Sequence, residues 1–249
     1  MMEPLAVLMM AVFTVGYLVL AGADLGVGMV LPWLGRDQRE RRLVIASFAP
    51  FFLGNEVWLV SAAGIAAGAF PGLEHRLLEG LYPLFVVLLV GWVVRDMGLW
   101  LRGRVDGVRW RGGCDGAVVA GSWLVALAWA SVFGSVLFGG VGLNAGSVVG
   151  LPLAGLFVLH GAAFAGLRLT GAPAGRAGRF PGQYPATAAV LVAVPVVAGL
   201  RLPWSEMAAP GMGLSVTAVV AVVMLPLLVG AQALVWWTFR GRVRAPSYL

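Results

Sequence analysis

The chain has 249 residues, 60% of them hydrophobic and 11% charged, with a mean hydropathy of +0.93. A soluble domain carries about a quarter charged residues, so a water-facing surface is excluded and lipid must be the solvent for most of the chain. The net charge of +6 rests on arginine alone, in short clusters between apolar runs, and no basic helix with interleaved aromatics is present to bind nucleic acid.

A bilayer core about 30 Å thick takes about 20 apolar residues in a helix. In chain order, seven stretches meet or approach that length: 5–31, 48–70, 81–101, 117–138, 147–169, 186–202 and 214–239. The first has no basic stretch before it and no small-residue cleavage site after it, so it reads as a span and not a removed leader. Cys114, just before the fourth, is the single cysteine; alone it builds neither a disulfide nor a cysteine-held metal site. The sixth is the shortest and follows a Pro- and Gly-rich segment, 173–185. Lipid cannot satisfy an exposed peptide group, so every span is expected to be helical. The expectation is an all-α, polytopic transmembrane bundle of about seven spans, with residues 1–249 forming a single integral membrane domain.

Arginine placement sets the orientation. Arg36, Arg39, Arg41 and Arg42 lie between spans one and two, and Arg102, Arg104, Arg109 and Arg111 between three and four. Arg168, Arg176 and Arg179 follow span five, and Arg240, Arg242 and Arg244 follow span seven. These are 14 of the 17 arginines, and they share one side only if the number of spans is odd. The N-terminus is therefore expected outside and the C-terminus inside.

Ionisable groups inside spans carry the functional signal, since each costs about 2.5–3.5 kcal/mol at a helix centre and needs a partner or a watery cavity. They are Asp24, Glu56, Arg95, Asp96 and His160. Asp24 sits in a Gly22-Ala-Asp-Leu-Gly26-Val-Gly28 string, whose small residues let a neighbouring helix come close. It is either a structural carboxyl or a group that exchanges protons. Asn55 and Glu56, in Gly54-Asn-Glu-Val-Trp58, are adjacent and so point apart: one can face a cavity while the other pins a helix. Arg95 lies at nearly the depth of Asp24, within snorkelling reach of the headgroups, and an Asp24–Arg95 pair is expected. His160 is a packing residue or a rung of a proton ladder running inward from Asp24 and Arg95, through His160, to Glu56. A weak internal echo relates 22–26 to 161–165.

These strings resemble subunit II of the cytochrome bd-type quinol oxidases. The resemblance rests on Gly22–Gly28, on the arginine-rich loop from Gly35 to Arg42, and on Pro50 with Gly54-Asn-Glu-Val-Trp58-Leu59. It continues through Phe70-Pro71, Arg95, Arg109-Trp110-Arg111, Asp115, Gly121-Ser122, His160-Gly-Ala162 and Arg168-Leu-Thr-Gly171, and ends at Phe239-Arg-Gly-Arg242. Two departures stand out. Phe52-Leu53 replaces a family Trp-Asp pair whose acid lines a proton route, and a helical pair before the last span is missing. The resemblance implies a bacterial inner-membrane, multi-pass subunit of a heteromeric oxidase that oxidises quinol and reduces oxygen to water with cytoplasmic protons. It implies haems b and d in a partner subunit I and no haem or metal held by this chain alone, two histidines being too few to ligate several haems. The implied role is to scaffold subunit I, alongside a small single-span subunit in some members, with Asp24, Glu56, Arg95 and His160 as proton-path or inter-helix polar residues and none of them catalytic. Gly22, Gly26, Gly28, Gly54, Asn55, Trp58, Trp110 and Asp115 are the structural motif positions. Two other classes fit the same residues: a free-standing transporter or proton channel, and a purely structural assembly partner.

Overall fold

The computed structural model describes residues 2–178 and 182–245; Arg179 of the basic set lies outside the described residues. Among the described residues the secondary structure is entirely helical. The segments in order are α1 (Met2–Met29), α2 (Leu31–Leu34), α3 (Gln38–Phe48), α4 (Phe52–Ala69), α5 (Pro71–Gly80), α6 (Tyr82–Leu101) and α7 (Val108–Phe138). They continue as α8 (Ala145–Val149), α9 (Leu153–Arg168), α10 (Gly171–Ala177), α11 (Gln183–Gly199), α12 (Trp204–Met207) and α13 (Met212–Thr238). Six helical stretches are long and apolar enough to cross a membrane: α1, α4, α6, α7, α8 with α9, and α13. The sixth stretch of the sequence, α11, has only 17 residues and is apolar but shorter than these.

Helix ends and hydropathy ends differ for physical reasons. Span two is preceded by an amphipathic helix, α3, whose Asp37 side chain accepts a bond from Glu40 N at 2.8 Å as an N-cap. Pro50 then separates α3 from α4, which starts at Phe52 and not at 48. α7 begins at Val108, nine residues before its apolar stretch, because a helix continues past the depth at which lipid ends. α5, led by Pro71 at its first position, occupies what hydropathy marks only as a polar connection.

The connections gather at two ends. At one end, Arg102 reaches Gln38 and Asp115, Arg41 reaches Asp115, Arg176 bonds Leu34 O and Glu40, and Val243 N donates to Arg168 O. At the other, Leu143 N donates to Gly80 O at 3.0 Å and Ala209 N to Ala69 O at 2.8 Å. Among the described residues the chain thus alternates ends through these six stretches and the shorter α11, and basic residues meet at one end.

α1 runs through the middle, against α4, α7, α9, α11 and α13. Its closest approach is to α9, and the two echoed strings form the crossing itself. A Cβ on Gly26 would stand 1.8 Å from Phe157 O, and one on Gly161 2.3 Å from Gly26 C. Backbone touches backbone there, and only glycine permits it. Gly22 faces the Phe157 ring, and Gly28 abuts Ser122 on α7, where a Cβ would lie 2.2 Å from Oγ.

Candidate functional site

The glycine crossing brings α1 deep into the bundle, and Asp24 with it, 1% exposed. Its partner is Asn55, whose Nδ2 donates to Asp24 Oδ2 at 2.6 Å and also reaches Leu20 O at 3.2 Å. Asn55 Oδ1 accepts from Gln232 Nε2 of α13 at 2.8 Å, and Gln232 Oε1 accepts from Trp58 Nε1 at 3.4 Å. A carboxylate and two amides thus tie α1, α4 and α13 together. Gly54 lies beside this link; a Cβ there would be 3.4 Å from Gln232 Oε1, an ordinary contact.

Glu56, the next residue, turns toward α6. It accepts from Trp92 Nε1 at 2.7 Å and from Arg95 Nη1 at 3.2 Å. The same Nη1 reaches Asp96 Oδ1 at 3.0 Å, and the guanidinium lies 5.6 Å from the Phe52 ring centre. The expected Asp24–Arg95 pair is not formed, and Arg95 does not snorkel; it is 3% exposed and bends inward to Glu56 and Asp96. Adjacent helical positions point apart at Cβ, but a three-methylene stem lets the guanidinium fold back to its neighbour. The inward ladder also changes. α4 starts at Phe52, so Glu56 is one turn from the helix start and level with Arg95, not the deepest rung.

The two clusters share a small cavity of about 10 Å³, about the space one water molecule needs. Tyr17, Asp24, Phe52, Glu56, Trp92 and Arg95 line it together with Ala21, Leu25 and Val125. Two buried atoms without a hydrogen-bond partner, Asp24 Oδ1 and Arg95 Nε, belong to residues of this lining. Buried polar atoms are rarely left unpaired, and these two belong to residues around one cavity.

His160 stands apart, on the α9 and α11 side of α1. Its Nε2 is 2.9 Å from Val19 O and its Nδ1 2.8 Å from Thr187 Oγ1, while its ring stacks on Tyr184 at 4.5 Å. A carbonyl can only accept, so Nε2 carries the hydrogen. Both nitrogens are engaged, which does not suit axial ligation of a haem; the other histidine, His75, is exposed beside Glu79. Among the described residues no group of three or more His, Cys, Asp or Glu side chains converges to hold a metal ion.

Of the remaining motif positions, Asp115 is buried between Arg102 at 2.6 Å and Arg41 at 3.2 Å, locking the α6–α7 connection onto α3. Trp110 donates to Leu101 O at 2.8 Å across the same connection. Sequence reasoning missed Gln232, Trp92 and Thr187. A lone amide in a 27-residue apolar helix was the one signal pointing to Gln232.

A family profile described as cytochrome bd terminal oxidase subunit II matches residues 2–205. The chain belongs to this family. Cytochrome bd-I ubiquinol oxidase subunit 2 of Escherichia coli K12 is 35% identical over 132 residues, 53% of this chain and 35% of that protein. Cytochrome bd ubiquinol oxidase subunit 2 of Bacillus subtilis is 36% identical over 138 residues, 55% of this chain and 40% of the relative. The matched stretch thus spans little more than a third of these relatives' length. Membership of the subunit II family, together with six membrane-crossing helical stretches, makes the chain a multi-pass protein of the bacterial inner membrane. The buried seam lies within the matched residues except for Gln232.

Proposed function

We propose that this chain is the non-haem subunit II of a bd-type quinol:oxygen oxidoreductase, with the arginine-rich end in the cytoplasm. In that reading the haems and the chemistry of oxygen belong to a partner subunit I. This chain braces that subunit and passes protons between Asp24 and Glu56 across the small cavity, with the permanently charged Arg95 holding Glu56 in place. The observation that carries the proton role is the pair of orphaned atoms, Asp24 Oδ1 and Arg95 Nε, on residues lining one water-sized cavity. Glu56 then offers a second carboxylate on the same cavity, its side chain 13% exposed. Where the family carries an acid, Leu53 is 51% exposed on the outer face of α4. The route proposed here therefore runs on the inner face of that helix.

The test is purification through a tag on this chain, followed by quinol-driven oxygen consumption. The reading expects haem absorbance to co-purify. It also expects Glu56→Gln to keep the haem and lose about 10²-fold in turnover, the scale of a positioned acid–base group. Haem that does not follow the tag sinks the subunit assignment. Haem that follows, with the Glu56→Gln rate intact, leaves a scaffold without a proton role.

A further inference from the structure

Charge at the arginine-rich end does not balance. The acids there are all engaged: Asp37 caps α3, Glu40 holds Arg176, Asp106 holds Arg111, and Asp115 holds Arg102 and Arg41. None is left for Arg168, the last residue of α9. Arg168 is 7% exposed, its Nε is buried without a hydrogen-bond partner, and among the described residues the Phe51 ring, 5.0 Å from the guanidinium carbon, is its neighbour of complementary character. An aromatic face and the negative end of α9 attract a cation, but the ring accepts no in-plane bond and Nε meets no carbonyl of α9.

The chain also delivers more cations to this place. Val243 N donates to Arg168 O at 2.9 Å, and Thr170 Oγ1 donates to Val243 O at 2.8 Å. These two bonds fasten the tail after α13 beside the end of α9, with exposed Arg242 and Arg244 on either side of the docked residue. Leu167, next to Arg168 on the helix, is 54% exposed, and Leu159 two turns earlier is 53% exposed on the same flank. An apolar, outward-facing strip therefore runs up to a buried, unneutralised guanidinium and an exposed basic fringe.

We propose that Arg168, with Arg242 and Arg244 on the docked tail, binds one phosphate group, supplied by the headgroup of an anionic phospholipid whose acyl chains lie along the Leu159–Leu167 flank of α9. A planar guanidinium meets two phosphate oxygens at once, and basic pockets at the ends of transmembrane helices recognise such headgroups. The bound phosphate restores the missing acceptor and neutralises the excess charge. The adjoining leucines favour a lipid over a free anion.

The experiment is native mass spectrometry of the full chain, titrated with phosphatidylglycerol or phosphatidylcholine of matched acyl chains. One phosphatidylglycerol per chain is expected to be retained in preference to phosphatidylcholine. Arg168→Gln should cut that preference about fivefold, the effect of one arginine at a headgroup. Arg242→Gln with Arg244→Gln alters only exposed side chains, cannot act through misfolding, and should cut it by up to about 25-fold, fivefold for each arginine removed. Equal retention of the two lipids, or a preference that survives the tail variants, overturns the proposal. Displacement of the lipid by excess inorganic phosphate reassigns the site to a free anion and overturns the lipid reading.

Discussion

α1 and α13 have 28 and 27 residues and are both almost wholly apolar, yet 39% of the apolar stretch of the first is buried within the chain and 11% of the second. The difference lies in side-chain size. α1 presents Gly16, Gly22, Gly26 and Gly28 to Trp58, Phe157, Gly161 and Ser122, so neighbours close on it from several sides. α13 turns Val216, Val223, Leu227 and Leu234 outward and is held mainly through Ala218, Ala221 and Gln232. In lipid, apolar surface gives no drive to associate, and close packing and polar contacts decide which helix goes to the centre. Hydropathy finds both helices, and glycine spacing tells them apart.

That contrast breaks most visibly at the α1–α9 crossing. Gly26→Ala places a methyl carbon against a backbone oxygen, which cannot move without shifting α9. The expected cost is about 3 kcal/mol, the upper end for overpacking, seen as a lower thermal unfolding midpoint and poor recovery of monodisperse protein. On α13, Gly230 has open space around it, and Gly230→Ala should leave both readouts unchanged. Similar losses in the two variants would mean that the crossing is not where the bundle is decided.

The polar link between these helices comes next in size. Asn55→Leu removes the donor to Asp24 and the acceptor of Gln232, leaving buried polar atoms unpaired at a cost of about 1–3 kcal/mol. Gln232→Leu takes away the α13 side alone. A double-mutant cycle on the two should return a coupling of about 0.6 kcal/mol, the average for such bonds between membrane helices. A coupling of zero would make α13 a helix held by packing only.

How far the sequence reaches follows from the same residues. Seven crossings and the gathering of arginines at one end are one-dimensional properties, read from spacing alone. Depth along a helix is also countable, which is why Asp24 and Arg95 come out level. The rotation of one helix against another is not countable. Asp24 therefore meets Asn55 while Arg95 meets Glu56, and the expected ion pair is replaced by two clusters around one cavity. Helix starts were misplaced where a proline or a cap, and not hydropathy, sets them, as at Phe52 and Val108. The echo between 22–26 and 161–165 had more content than its similarity suggested, because both strings are the two halves of one contact.

The smallest effect separates two meanings of exposure. Leu227 on α13 is 65% exposed, so within the chain Leu227→Ala should change stability by no more than about 0.5 kcal/mol. The outward face of α13 meets either lipid or the proposed subunit I. Against lipid, truncation trades one apolar contact for another and nothing else moves. Against a protein partner, the same truncation opens a cavity in a packed interface, and the haem that follows a tag on this chain should fall while the chain's own unfolding midpoint holds. A midpoint that drops with the haem would instead show that α13 is braced by its own bundle at Leu227, and the contrast with α1 would narrow accordingly.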